Sequence, residues 1–141
     1  MKSKCFCNSE GWKNLSLLVL RLAVGVTFVF AGWMKLQDTA ATAGMFEMMG
    51  WPAPMFFTWL VGLVELVAGA AVVLGLWTKM GGFLLGVVML VALLAVHVPA
   101  WGEQGFQGAQ LALSLLGGSM ALSAVGGGAW SLAKDCMCGA K

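Results

Sequence analysis

Four long apolar runs alternate with short polar stretches along the chain. They cover residues 15–35, 55–77, 80–98 and 106–125, each close to 20 residues. A helix rises about 1.5 Å per residue, so ~20 apolar residues cross the ~30 Å hydrocarbon core of a bilayer. The pattern predicts an all-α integral membrane protein, a four-helix transmembrane bundle over residues 15–128. Polar tails flank it at 1–14 and 129–141.

The breaks between runs carry their own signals. Gly50-Trp51-Pro52 and Pro54 end the first loop, and Thr39 to Met49 ahead of them reads as a short interfacial helix. Met45, Phe46, Met48 and Met49 would face the membrane there. Thr78 to Gly82 reads as a tight turn, and Ala100 to Gly105 as a short loop before the fourth helix. Gly126-Gly127-Gly128 ends that helix. The first run is interrupted early by Arg21, exceeds a signal-peptide core in length and has no small-residue cleavage site after it. It therefore reads as a retained helix.

Composition sharpens the membrane reading. The chain is 60% hydrophobic and 10% charged, against about a quarter charged in a soluble domain. Its 20 glycines suit close helix contact and its 7 tryptophans suit the membrane–water interface. A formal net charge of +2 gives no basis for nucleic-acid binding. With four spans, both termini and the middle turn share one side. That side holds Lys2, Lys4, Lys13, Lys79, Lys134 and Lys141, while the other holds Lys35 with Asp38, Glu47 and Glu103. The positive-inside bias then places both termini in the cytoplasm of a multi-pass inner-membrane protein.

Glu65 stands almost at the centre of the second apolar run. A carboxylate there costs at least ~2.5–3.5 kcal/mol on insertion scales, so it needs a partner other than lipid. Side chains lean toward the N-terminus of their helix. Lys35 thus leans back into the membrane, and Glu65 leans toward the outer face. His97, near the end of the third helix, and Gln107 and Gln110, opening the fourth, belong to the same half. Lys35, Glu65, His97, Gln107 and Gln110 form a candidate ligand or proton pocket. Two blander readings stand beside it: Lys35–Glu65 as interhelical glue, and His97 as an interfacial side chain. Arg21 either snorkels to the headgroups or pairs with a neighbouring helix.

Four cysteines make a second constellation. Cys5-Phe6-Cys7 and Cys136-Met137-Cys138 lie in the two tails, in a reducing compartment where a structural disulfide is not expected. Four thiols there suit Cu(I), Zn or an Fe–S centre. Met45, Met48, Met49 and Met55 add thioethers on the other side. No Cys–His haem motif, dinucleotide fingerprint or nucleophile elbow is present.

Arg21-Leu22, the stretch Phe30-Ala31-Gly32-Trp33-Met34-Lys35-Leu36, then Gly62-Leu63-Val64-Glu65-Leu66 and Gly75-Leu76-Trp77-Thr78-Lys79 resemble the motifs of the DoxX family. His97 and Gly126-Gly127-Gly128 with Ser131-Leu132 extend the resemblance to residues 20–132. It departs from the family pattern at Gln107, where relatives often carry an acid, at GGG in place of a GPG-like end, and in the CxC tails. The family takes its name from a subunit of a thiosulfate:quinone oxidoreductase. The resemblance therefore implies a four-helix inner-membrane protein, an accessory subunit of a quinone- or thiol-linked redox system. A membrane or redox partner follows, quinone is the implied ligand, and there is room for an oligomer. Metal handling through the CxC pairs and a purely structural scaffold are the competing expectations.

Overall fold

The computed structural model describes residues 10–97 and 101–132, without the side chains of residue 97 and residues 101–108. Five α-helices follow in order: α1 Glu10–Gln37, α2 Thr39–Met48, α3 Pro54–Leu74, α4 Thr78–Ala92 and α5 Trp101–Val125. A π-helical turn, Leu93–His97, extends α4. Among the described residues, Glu10–Gln37, Pro54–Leu74 and Thr78–Val96 are long and apolar enough to cross a bilayer, and Ala109–Val125 is a shorter apolar stretch.

Several boundaries differ from those the apolar runs suggest. α1 begins at Glu10 rather than residue 15. An acid in the first turn complements the helix dipole, and Lys13 Nζ lies 3.0 Å from Glu10 Oε1. α3 stops at Leu74 because Gly75 takes φ +73°, and Leu76 N–H donates to the Ala71 carbonyl at 2.8 Å. This left-handed close needs glycine. Thr78 to Gly82, expected as a turn, is instead the first part of α4. Gly81 and Gly82 serve packing: a Cβ on Gly82 would sit 2.8 Å from the Ser119 carbonyl oxygen. Trp101 to Gly105, expected as loop, is helical. The π turn lies just ahead of Pro99, which has no N–H for the carbonyl of Ala95.

α2 is the short helix expected ahead of the Gly50–Pro54 breakers. Asp38 alone separates it from α1, and its Oδ1 accepts the Ala41 N–H at 3.0 Å as an N-cap. The return to α3 is fixed by rings: Phe46 and Trp51 centroids are 5.5 Å apart, and Trp51 meets Phe57 edge-on at 4.8 Å.

The helices pack as two intimate pairs, α1 with α3 and α4 with α5, joined by a lesser α3–α4 contact. Glycines seven apart on each antiparallel helix set the first pair. A Cβ on Gly25 would lie 2.9 Å from Gly69 O, and one on Gly32 would lie 2.7 Å from Gly62 O. The backbones touch there, as small residues allow in membranes. Val24, Phe28, Ala68, Val72, Leu85, Met89, Ala112 and Leu122 form the core. Large apolar side chains such as Leu15, Val19, Leu22, Val26 and Phe30 are exposed, whereas Arg21, Thr58, Glu65, Thr78 and Ser119 are buried. Lipid, not water, suits that outer surface.

Candidate functional site

Two buried ionisable groups sit at opposite ends of the α1–α3 pair. Toward the α2 end, Lys35 Nζ lies 2.6 Å from Glu65 Oε2. The Glu65 side chain is 1% exposed and that of Lys35 is 29% exposed. The local sequence explains the meeting. Gly32, one turn before Lys35, brings α1 against α3 so closely that its added Cβ would be 3.2 Å from Glu65 Cβ. Lys35 then reaches across the last turn of its own helix. The carboxylate oxygen that accepts from Lys35 is Oε2. Thr58, two turns earlier on the same face of α3, is also buried and donates to Pro54 O at 3.0 Å.

At the other end Arg21 is 2% exposed. Its Nε donates to Val72 O at 3.1 Å and its Nη2 to Val73 O at 3.0 Å. Its Nη1 donates to Gly127 O at 2.9 Å and Trp130 O at 3.3 Å. The guanidinium stays inside and donates to carbonyls in the last turn of α3, where a cation also suits the helix dipole. Gly75 makes room for it: a Cβ there would collide with Arg21 Nη2.

The other candidates are distributed differently. Gln110 is exposed on α5, and Gln107 lies on the same helix. His97 is the last residue of the π turn. Lys35 and Glu65 are therefore the two members of the candidate pocket whose side chains are brought together among the described residues. Met45, Met48 and Met55 are exposed. Cys5, Cys7, Cys136 and Cys138 lie outside the described residues, and no group of three His, Cys, Asp or Glu side chains capable of holding a metal occurs within them.

A cleft of about 420 Å³ opens between α3 and α4, lined by residues such as Leu63, Val67, Ala71, Met80 and Leu84. It is apolar, and neither Lys35 nor Glu65 lines it. The buried hydroxyls of Thr78 and Ser119 were not foreseen from sequence, and neither has a hydrogen-bond partner among the described residues. Gly127 lies against one of them: a Cβ on it would be 2.6 Å from Thr78 Oγ1.

An inside-out burial pattern, apolar helices of spanning length and charged groups held between them define a small multi-pass membrane protein. The DoxX family profile matches residues 16–98, which run from α1 through the π turn. The chain belongs to the DoxX family. It is 36% identical over 128 residues to the uncharacterized membrane protein Rv3486 of Mycobacterium tuberculosis, covering 83% of this chain and 78% of that one. It is 31% identical over 121 residues to the inner membrane protein YqjF of Escherichia coli, covering 85% and 91%. CatD of Bacillus subtilis, whose oxidoreductase name is provisional, is 29% identical over 87 residues, covering 62% of this chain and 63% of that one. No solved structure matches the chain.

Proposed function

We propose that this protein is an accessory subunit of a redox membrane system and that Lys35–Glu65 is its polar site. The observation that carries the reading is the asymmetry of the pair: a fully buried carboxylate meets a lysine that is 29% exposed. A pair built only for packing gains nothing from one accessible member. A pair that receives a polar headgroup, or exchanges a proton, needs one. The relative named as an oxidoreductase supports a redox setting. The quinone- or thiol-type headgroup would approach Lys35 from the α2 end, while Glu65 fixes the ammonium.

In this reading Lys13 and Lys79 lie toward the cytoplasm, with both termini, and the α2 end faces outward. The membrane is the cell inner membrane, in keeping with the name of the Escherichia coli relative. A catalytic partner supplies the electron-transferring cofactor.

The scaffold reading draws on one specific fact, the glycine contact beside the pair. A single experiment separates the two. Membranes of a strain lacking the protein are complemented with wild type, Glu65→Gln or Lys35→Met, and respiratory quinone reduction and bound quinone are measured. The redox reading expects Glu65→Gln to be assembled at normal levels with quinone-linked activity lowered at least several-fold, and Lys35→Met to lose more activity than protein. Full activity in both, or loss only in proportion to lost protein, favours the scaffold.

A further inference from the structure

α5 presents a different outer face from the other spanning helices. Val26 and Phe30 on α1, Leu63 and Val67 on α3, and Val87 and Leu94 on α4 give lipid a bulky apolar surface. On α5 the exposed positions include Gln110, Ser114, Gly117, Ala121 and Ala124. They are spaced four, three, four and three residues apart. That spacing keeps them on one stripe, with the 3.5-residue repeat of paired helices. The opposite face, with Ala112, Ser119 and Leu122, is buried in the bundle.

Two features set the stripe apart from a surface made for acyl chains. The first is Gly117. Gly25, Gly32, Gly62, Gly69, Gly82 and Gly86 each admit a neighbouring helix of the same chain, where a Cβ would meet it at 3.1 Å or less. A Cβ on Gly117 would meet nothing within 4 Å. Bare backbone in a spanning helix serves the close approach of another helix, and within the chain Gly117 has none. The second feature is polarity. Gln110 stands at the start of the apolar stretch Ala109–Val125, and Ser114, one turn further in, donates to the Gln110 carbonyl at 2.8 Å. An exposed carboxamide and hydroxyl gain nothing from acyl chains, whereas membrane helices hydrogen-bond to one another through such groups.

We propose that α5 is the face on which two copies of this chain associate, with Gln110, Ser114, Gly117, Ala121 and Ala124 at the centre of the contact. Copies inserted with one topology are parallel. A two-fold axis along the membrane normal then brings each stripe residue opposite its own counterpart at the same depth. A carboxamide suits that meeting because it carries both donor and acceptor, so the two Gln110 side chains can exchange reciprocal hydrogen bonds. The glycine and alanines beyond them let the two α5 backbones come close. Leu113 and Met120, exposed beside the stripe, cover its edge. The proposal goes beyond the Lys35–Glu65 reading, and each can fail without the other.

The test uses the full chain in vesicles of phosphatidylethanolamine and phosphatidylglycerol. Energy transfer between donor- and acceptor-labelled copies is followed as lipid is added. Wild type should show a saturable dimer. Gln110→Leu should weaken association about tenfold, the loss of the reciprocal hydrogen bonds. Gly117→Leu should weaken it further by wedging the two backbones apart, and Val87→Leu on α4 should change nothing. Mixed-detergent unfolding of the monomer should be the same for all three as for wild type, which separates a lost contact from a lost fold. With Cys5, Cys7, Cys136 and Cys138 changed to serine, Gly117→Cys and Ala121→Cys should each give a disulfide-linked dimer on oxidation, and Val87→Cys should not. Wild type that stays monomeric at the lowest lipid content would overturn the proposal and leave the face to lipid or to another protein. So would cross-linking from Val87→Cys equal to that from Gly117→Cys, or dimerisation of Gln110→Leu and Gly117→Leu as strong as that of wild type.

Discussion

The two ends of the α1–α3 pair solve the same problem in different ways. Both bury a charged side chain among apolar helices. Arg21 is surrounded by main-chain carbonyls from the end of α3 and the segment after α5. Among the described residues Glu65 has one charged partner, Lys35, and that partner is accessible. The Arg21 guanidinium makes four hydrogen bonds to main-chain carbonyls at the end of α3 and in the segment after α5, and so ties three parts of the chain together. The Lys35–Glu65 arrangement ties two helices through one ion pair. Multiplicity of neutral partners marks a fold-holding cation. A charged pair with one exposed member is the arrangement on which the proposed binding role rests.

That contrast breaks most visibly at Arg21. Arg21→Met leaves the Val72, Val73, Gly127 and Trp130 carbonyls short of donors in a buried setting. The expected loss is about 3 kcal/mol or more, read as failure to accumulate in membranes or as early unfolding in mixed detergent. Arg21→Lys recovers only part, because an ammonium lacks the planar fork. Gly32→Leu comes next. Its side chain enters the contact with Gly62 and Leu66, and about 1–3 kcal/mol of overpacking should drive α1 off α3. Cysteine cross-linking across the two helices would register the separation. A smaller effect sharpens the other end. Lys35→Met strands a buried carboxylate and should destabilise more than Glu65→Gln, which leaves a lysine able to reach the interface. The latter should cost less than about 1 kcal/mol in mixed-detergent unfolding. Least of all, Gly117→Ala should stay within about 0.5 kcal/mol of wild type in the same assay, since open space surrounds that position.

Much of this was legible in the sequence, for definite reasons. Apolar runs of spanning length can be read because the bilayer fixes the length, and the runs around Val24, Gly69 and Leu85 became packed helices. Glu65 stood out because a lone carboxylate at mid-membrane is costly. Its partner followed from the direction in which a helical lysine leans. The role of Arg21 was harder to read. Its partners are carbonyls, and carbonyls are present at every residue, so no spacing advertises them. The turn after α3 was misplaced for a related reason. Gly81 and Gly82 look like turn residues, whereas the turn is made by Gly75, and Gly81 packs against α3 while Gly82 packs against α5. Sequence shows that a glycine is present but not whether it serves a φ angle or a neighbour. Gln110 illustrates the limit in another way, since position at a helix start does not fix which face it occupies, and it is exposed.

The most direct test is a paired measurement on one preparation of Glu65→Gln. Mixed-detergent unfolding is recorded beside binding of a short-chain ubiquinone, with wild type and Gly117→Ala as references. The account predicts unfolding within about 1 kcal/mol of wild type and quinone binding weakened about tenfold or more, the loss of one charged contact. Unchanged binding together with a clear loss of stability would contradict it, and would make the Lys35–Glu65 pair a second structural tie like the one at Arg21.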